Sequence, residues 1–365
     1  MSLRLGVPRK PPAPSSATIS PMDRTKRGLL IGLLLGALVM GATALAGDLD
    51  QVALHVGAFD WRLAPWILGA ACFSYTIRFV KWHYLVGRAG AEDLQPTTDA
   101  RIFLSGFPLS VTPGKVGEAL KAVWLNQASG LPVSRGLTVV LADRLSDGLA
   151  MVLLSTAGIF GLPRAWPAFG VAGGALMLVV VLSQFRSLTL RVLDLGRRLP
   201  MAGRLVPAVI RFYEAAHTLL RPKPTLVAVL LGTVAWLGEG VATYGVLIGL
   251  GIDPSCALLS KAVFAFAFST IVGALSALPG GLGATEASLA GMLALLVPLP
   301  AATAAAATLL LRLATLWFAV LIGLVAWMVS PDLVLARPSA GEAQFVKKST
   351  IGDAPADRGL KGPSA

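Results

Sequence analysis

Residues 28–46 read GLLIGLLLGALVMGATALA, a run without one charged side chain. A helix rises about 1.5 Å per residue and a bilayer's hydrocarbon core is roughly 30 Å thick, so about 20 such residues cross it. Further long apolar runs lie at 63–86, 137–160, 166–184, 224–250 and 301–329. The chain is 55% hydrophobic and 14% charged, against about 25% charged in an ordinary soluble domain. These features predict an all-α polytopic membrane protein. Its membrane domain occupies 28–330, between a disordered basic tail (1–27) and a disordered polar tail (331–365). The basic head, apolar run and Ala44-Leu45-Ala46 also form a signal-peptide pattern. Residues 28–46, however, exceed the usual 7–15 residue apolar region of such peptides, which favours a retained first helix.

The net charge of +12 could suggest nucleic acid, but the basic residues sit between the apolar runs and no aromatic-interleaved basic patch occurs. They record the cytoplasmic side instead. Arg24, Lys26 and Arg27 place the N-terminus inside. Segment 184–223 carries Arg186, Arg191, Arg197, Arg198, Arg204, Arg211, Arg221 and Lys223 against Asp194 and Glu214. It is read as a cytoplasmic loop lying on anionic lipid. Cys72 and Cys256 are far apart, and His55, His83 and His217 are scattered, so neither a disulfide framework, a metal nor a cofactor is indicated.

Counting spans against these anchors leaves two apolar stretches, 102–125 and 257–298, that must start and finish on the same side. The first enters and returns from inside, the second from outside. Their sequences match: SVTPGKVGEAL against SALPGGLGATEASL pairs Ser110 with Ser276, Pro113 with Pro279, Gly114 with Gly280 and Gly117 with Gly283, and Glu118 and Glu286 follow. Downstream, Arg144-Leu145 pairs with Arg312-Leu313. The prediction is about six full transmembrane helices plus two re-entrant broken-helix hairpins. They form an inverted repeat with halves at about 63–160 and 224–329, a transporter arrangement. Broken backbone survives at membrane depth only where protein or a water-filled cavity satisfies it.

Ionisable residues inside spans cost about 2.5–3.5 kcal/mol each on insertion scales and are functional candidates by default. Asp143, Arg144 and Asp147 share one run and can satisfy one another. Glu239 lies mid-span. Arg312 has no acid within four residues, so its partner must be Glu286, Glu239 or a bound anion. Glu118, between Lys115 and Lys121, also fits a helix-surface salt bridge. Lys81-Trp82 with Tyr84 reads as an interfacial anchor without chemistry.

The runs PGKVGEALKAVWL, DRLSDGLAMVLL, ALPGGLGATEASL and LLLRLATLW together resemble the lysylphosphatidylglycerol synthase transmembrane-region family, flippase-like integral membrane proteins. The resemblance covers roughly residues 28–330. It implies a helical membrane fold with re-entrant segments, movement of a polar-headgroup lipid between leaflets, and a bacterial or archaeal cytoplasmic membrane. The soluble aminoacyl-transferase domain of bifunctional members is not found in these 365 residues, so lysine transfer is not expected.

On this reading Pro113, Gly114, Lys115, Gly117 and Glu118 line one half of a lipid site, and Pro279, Gly280, Gly283 and Glu286 the other. Arg144 and Arg312 bind phosphate. Asp143, Asp147, Glu118 and Glu286 bind cationic or hydroxyl groups, and Glu239 lies nearby. Candidate cargoes are aminoacylated or polyprenyl-linked lipids. An intramembrane enzyme acting on a headgroup, or a non-transporting partner of a biosynthetic complex, stays open as an alternative, as does self-association.

Overall fold

The computed structural model describes residues 21–112, 117–156, 174, 219, 221–276 and 278–331. The span expected at 166–184, most of the basic segment 184–223 and nearly all of both tails lie outside the described residues. Within them the chain is helical, without a strand.

The first helix, α1 (Pro21–Ala46), carries the opening apolar run. A short α2 (Leu49–Gly57) follows, capped by the Asp48 side chain, which accepts the Asp50 N–H. A 3-10 turn over Trp61–Leu63 leads into α3 (Ala64–Arg88). Next come α4 (Pro96–Ser105), α5 (Leu120–Ser129) and α6 (Val133–Thr156). The second half comprises α7 (Pro222–Gly249), α8 (Cys256–Leu275), α9 (Ala284–Leu296), α10 (Ala301–Arg312) and α11 (Phe318–Val329). A π-helical turn over Leu313–Trp317 joins α10 to α11.

Among the described residues, five helical segments are long and apolar enough to cross a bilayer: Arg27–Ala46, Trp61–Arg88, Pro222–Gly249, Cys256–Leu275 and Ala301–Val329. Helix α6, at 24 residues, is about 36 Å long and differs from them by its internal charges.

Each half holds an apolar core. One gathers α3–α6 around Trp82, Leu85, Phe103 and Leu125. The other gathers α7–α10 around Phe264, Leu247, Leu293 and Leu311. Helix α3 lies along α7, and α6 packs against both α7 and α8, so these helices tie the halves together.

The two expected hairpins differ. In the first, Gly106 and Pro108 stop α4 after ten residues, and a 3-10 turn (Phe107–Val111) precedes the ten-residue α5. Each arm is about 15 Å long, half a bilayer. In the second, nothing breaks the chain before Pro279, so α8 runs for 20 residues and is long enough to cross alone, while α9, after the break, has 13.

At that second break Gly280, Gly281 and Gly283 all take positive φ (60°, 67° and 86°). A side chain at any of them would be strained. The two breaks touch: a Cβ on Gly280 would lie 3.3 Å from the Val111 side chain. Helix α1 closes over them. Its Gly32 abuts the Val111 carbonyl, and its Gly36 abuts the Trp317 ring.

A buried ionic centre beside the helix breaks

The break ending at Gly283 builds its own anion. Helix α9 starts with Glu286 in its first turn, and the Gly283 N–H donates to Glu286 Oε2 at 2.6 Å. This is the reciprocal half of a capping box, which satisfies an otherwise orphaned amide. Burial leaves the Glu286 carboxylate 1% exposed, so its charge needs a partner within the protein. Arg312, the last residue of α10, donates from Nε to Glu286 Oε1 at 2.5 Å and from Nη2 to the Gly280 carbonyl at 3.2 Å. One arginine thus ties the helix after the break to the break's own backbone. Of the two carboxylates open to Arg312 in the sequence, Glu286 is the one it meets.

The first half repeats this pairing. Arg144 Nε lies 3.2 Å from Glu118 Oε2, and both residues stand 168 positions before Arg312 and Glu286. Glu118 therefore pairs with Arg144 of α6. Pro113, Gly114 and Lys115 lie outside the described residues. Gly117 packs where a Cβ would meet the Thr112 hydroxyl at 2.6 Å and Leu109 at 3.0 Å.

Around Arg144 the first half has a larger cluster. Arg144 Nη2 donates to Asp143 Oδ2 at 2.9 Å, and Nη1 lies 3.6 Å from Asp147 Oδ2. Asp143 and Asp147 also converge on Lys81: its ammonium lies 3.0 Å from Asp143 Oδ1, contacts Asp147 Oδ1, and reaches the Asp143 carbonyl at 3.2 Å. Trp236 Nε1 on α7 donates to Asp147 Oδ1 at 2.9 Å.

The interfacial-anchor reading of Lys81-Trp82 is overturned, because both side chains are fully buried. Trp82 Nε1 donates to Asp99 Oδ1 at 2.8 Å, and Asp99 Oδ2 meets His83 Nδ1 at 2.7 Å. A lysine in this position is held by two carboxylates because an unpaired buried ammonium would be prohibitive.

Glu239 on α7 accepts from the Ser74 hydroxyl at 3.2 Å and lies 3.7 Å from Arg78 Nη1. The Arg78 guanidinium stacks 4.5 Å from the Trp236 ring centre. Glu239 is thus joined to the cluster through Trp236 and not to Arg312. Lys121, on α5, sits over the rings of Trp82 and Phe103 at 4.6 and 5.1 Å, a cation–π seat.

Among the described residues the cluster sets Arg78, Lys81, Lys121 and Arg144 against Glu118, Asp143, Asp147 and Glu239. Arg144 is its most open member, with its side chain 32% exposed, against 11% for Arg312. Sequence reasoning missed Arg78, Lys81, Lys121, Asp99 and Trp236. The one available signal was the three-residue spacing of Arg78 and Lys81, which puts both on one helix face.

Apolar helices long enough to cross a bilayer, wrapped around paired charges, define a multi-pass helical membrane protein with an ionic interior. The chain belongs to the family described as the lysylphosphatidylglycerol synthase transmembrane region, whose model matches residues 29–323. A UPF0104 membrane protein of Methanothermobacter thermautotrophicus is 23% identical over 319 residues, covering 83% of this chain and 93% of that relative. A second UPF0104 protein of the same organism is 25% identical over 234 residues, covering 58% and 68%. The glycosyltransferase AglD of Haloferax volcanii is 24% identical over 330 residues, covering 80% of this chain and 53% of AglD. No solved structure matches.

Proposed function

We propose that the protein translocates a lipid with a polar headgroup between leaflets. The observation that carries this reading is the duplicated glutamate–arginine bridge, Glu118–Arg144 and Glu286–Arg312, one beside each of two touching helix breaks. Charges at membrane depth mark a polar path by default. In a translocase a phosphate would compete with the glutamate for its arginine at one break while the other stayed closed. Arg144 is the more exposed of the two and would meet the headgroup first. Asp143, Asp147, Glu118 and Glu286 would then receive its cationic or hydroxyl groups. An aminoacylated or polyprenyl-linked phospholipid has this chemistry.

In the same reading the fold is an inverted repeat of six crossings and two hairpins entering from opposite faces. Both termini and the 184–223 loop are cytoplasmic, the loop against anionic lipid. The enzyme reading draws on the name of the Haloferax relative. Asp143 and Asp147 speak against it as an acid–base pair, because Lys81 and Arg144 already hold both carboxylates.

The test is translocation in proteoliposomes of headgroup-labelled phospholipids and polyprenyl-phosphate lipids, read with a membrane-impermeant quencher. One lipid class should move, and Arg144→Ala or Arg312→Ala should slow it by more than about tenfold, roughly 1.4 kcal/mol in the barrier. Absence of movement for every class, with chemically altered lipid recovered, sinks translocation and supports an enzyme.

A further inference from the structure

A groove of about 410 Å³ runs between α1, α9 and α10, within the 300–1,000 Å³ typical of ligand sites. Ala42 and Ala46 form one wall, Ala290 and Gly291 another, and Ala304 the third; Glu286 stands at one end. From Glu286 to Ala294 it follows α9 for about 12 Å.

Its polar lining is already satisfied. The Thr43 hydroxyl donates to the Val39 carbonyl at 2.9 Å. Glu286 accepts from Gly283 N–H with one oxygen and from Arg312 with the other. Beyond the bridge the walls are alanine, glycine and valine with the one hydroxyl of Thr43, so a headgroup or a file of water lodged along them would be stripped of hydration without compensation. The occupant is therefore apolar. Helices α1 and α10 belong to bilayer-length segments, so the apolar material beside the groove is lipid hydrocarbon.

We propose that this groove binds one hydrocarbon chain of a membrane lipid, with the Glu286–Arg312 bridge at its polar end. The inference rests on the translocase reading only for its purpose: the groove would keep the chain in register while the headgroup engages Arg312.

The experiment uses the full chain in nanodiscs containing phosphatidylglycerol with a diazirine midway along one acyl chain. Adducts are mapped by mass spectrometry after irradiation. They should concentrate on 39–47 and 286–294. Gly291→Phe should lose them, because a Cβ at Gly291 meets nothing within 4 Å and the ring can occupy the groove. Gly41→Phe, equally unobstructed but not a groove residue, should keep them and control for folding. Even labelling that includes the exposed Leu226 and Leu230 of α7, unchanged by Gly291→Phe, overturns the proposal. Cross-links between two copies through α1 or α9 do so in favour of self-association. Because the readout is labelling, a labelled groove without lipid movement upholds this site and removes the translocase. Movement with even labelling does the opposite.

Discussion

Lys81 shows how a single side chain can be committed by its surroundings. It is fully buried between two carboxylates, with the Ser146 hydroxyl at 3.3 Å. Lys81→Met would leave Asp143 and Asp147 sharing Arg144 alone, and breaking a buried pair from one side costs about 3–5 kcal/mol. Thermal unfolding in detergent should show that loss, and adding Asp147→Asn should recover part of it. An additive double variant would mean that the two residues do not interact. Glu286 permits a finer separation of roles. Glu286→Gln keeps an acceptor for the Gly283 N–H and should hold α9 in place. Glu286→Ala loses the cap too, at a further cost of about 0.5–2 kcal/mol. Both should abolish lipid translocation, since either leaves Arg312 without its counter-charge. Translocation that survives in Glu286→Gln would show that the charge is dispensable and only the cap matters.

At the scale of elements, α1 depends on close approach. Gly32 and Gly36 press against the Val111 backbone and the Trp317 ring, where small residues let helices meet without a hydrophobic force between them. Gly36→Leu should lower the unfolding temperature by the equivalent of about 1–3 kcal/mol, as overpacking does. Gly41→Leu, which points into open space, should stay within about 0.5 kcal/mol of the parent. Gly32 and Gly36 stand four residues apart in the sequence, a spacing that puts both on one helix face. The π turn after Arg312 was not legible in the sequence, since LATLW carries no breaker. It is stabilised from another helix, where the Tyr75 hydroxyl donates to the Thr315 carbonyl at 2.5 Å. Tyr75→Phe should cost about 0.5–1.5 kcal/mol, measured by the same unfolding assay. The second break was readable from Pro279 and Gly280; the first was expected at Pro113-Gly114, outside the described residues, whereas α4 already stops at Gly106. The unequal arms were not readable, because arm length depends on where the preceding helix stops, and α8 meets no breaker before Pro279.

Across the whole molecule, the Glu–Arg pair recurs at an offset of 168 residues, close to that of the short matching strings behind the proposed inverted repeat. Glu118 and Glu286 were singled out by type and position, yet their bridges join residues 26 positions apart and needed coordinates. The ammonium of Lys81 was misplaced for the opposite reason: a lysine beside a tryptophan near a span's end looks interfacial, and only its contacts with α6 show it is interior. What the repeat demands is sidedness, and this can be measured after replacing the exposed Cys72 and Cys256 by alanine. Single cysteines would then be placed at the exposed positions Ala58, Glu92, Ala128, Asp253 and Ala301. A membrane-impermeant maleimide applied to intact cells should label 58, 253 and 301, and reach 92 and 128 only after permeabilisation. Positions 92 and 128 bracket the first hairpin, so their agreement means that α4 and α5 enter and return. Positions 253 and 301 bracket the second, where α8 is long enough to cross by itself. If 301 falls on the side of 92, the second hairpin is a crossing. The halves are then not inverted copies, and the two Glu–Arg bridges cannot serve opposite faces by symmetry.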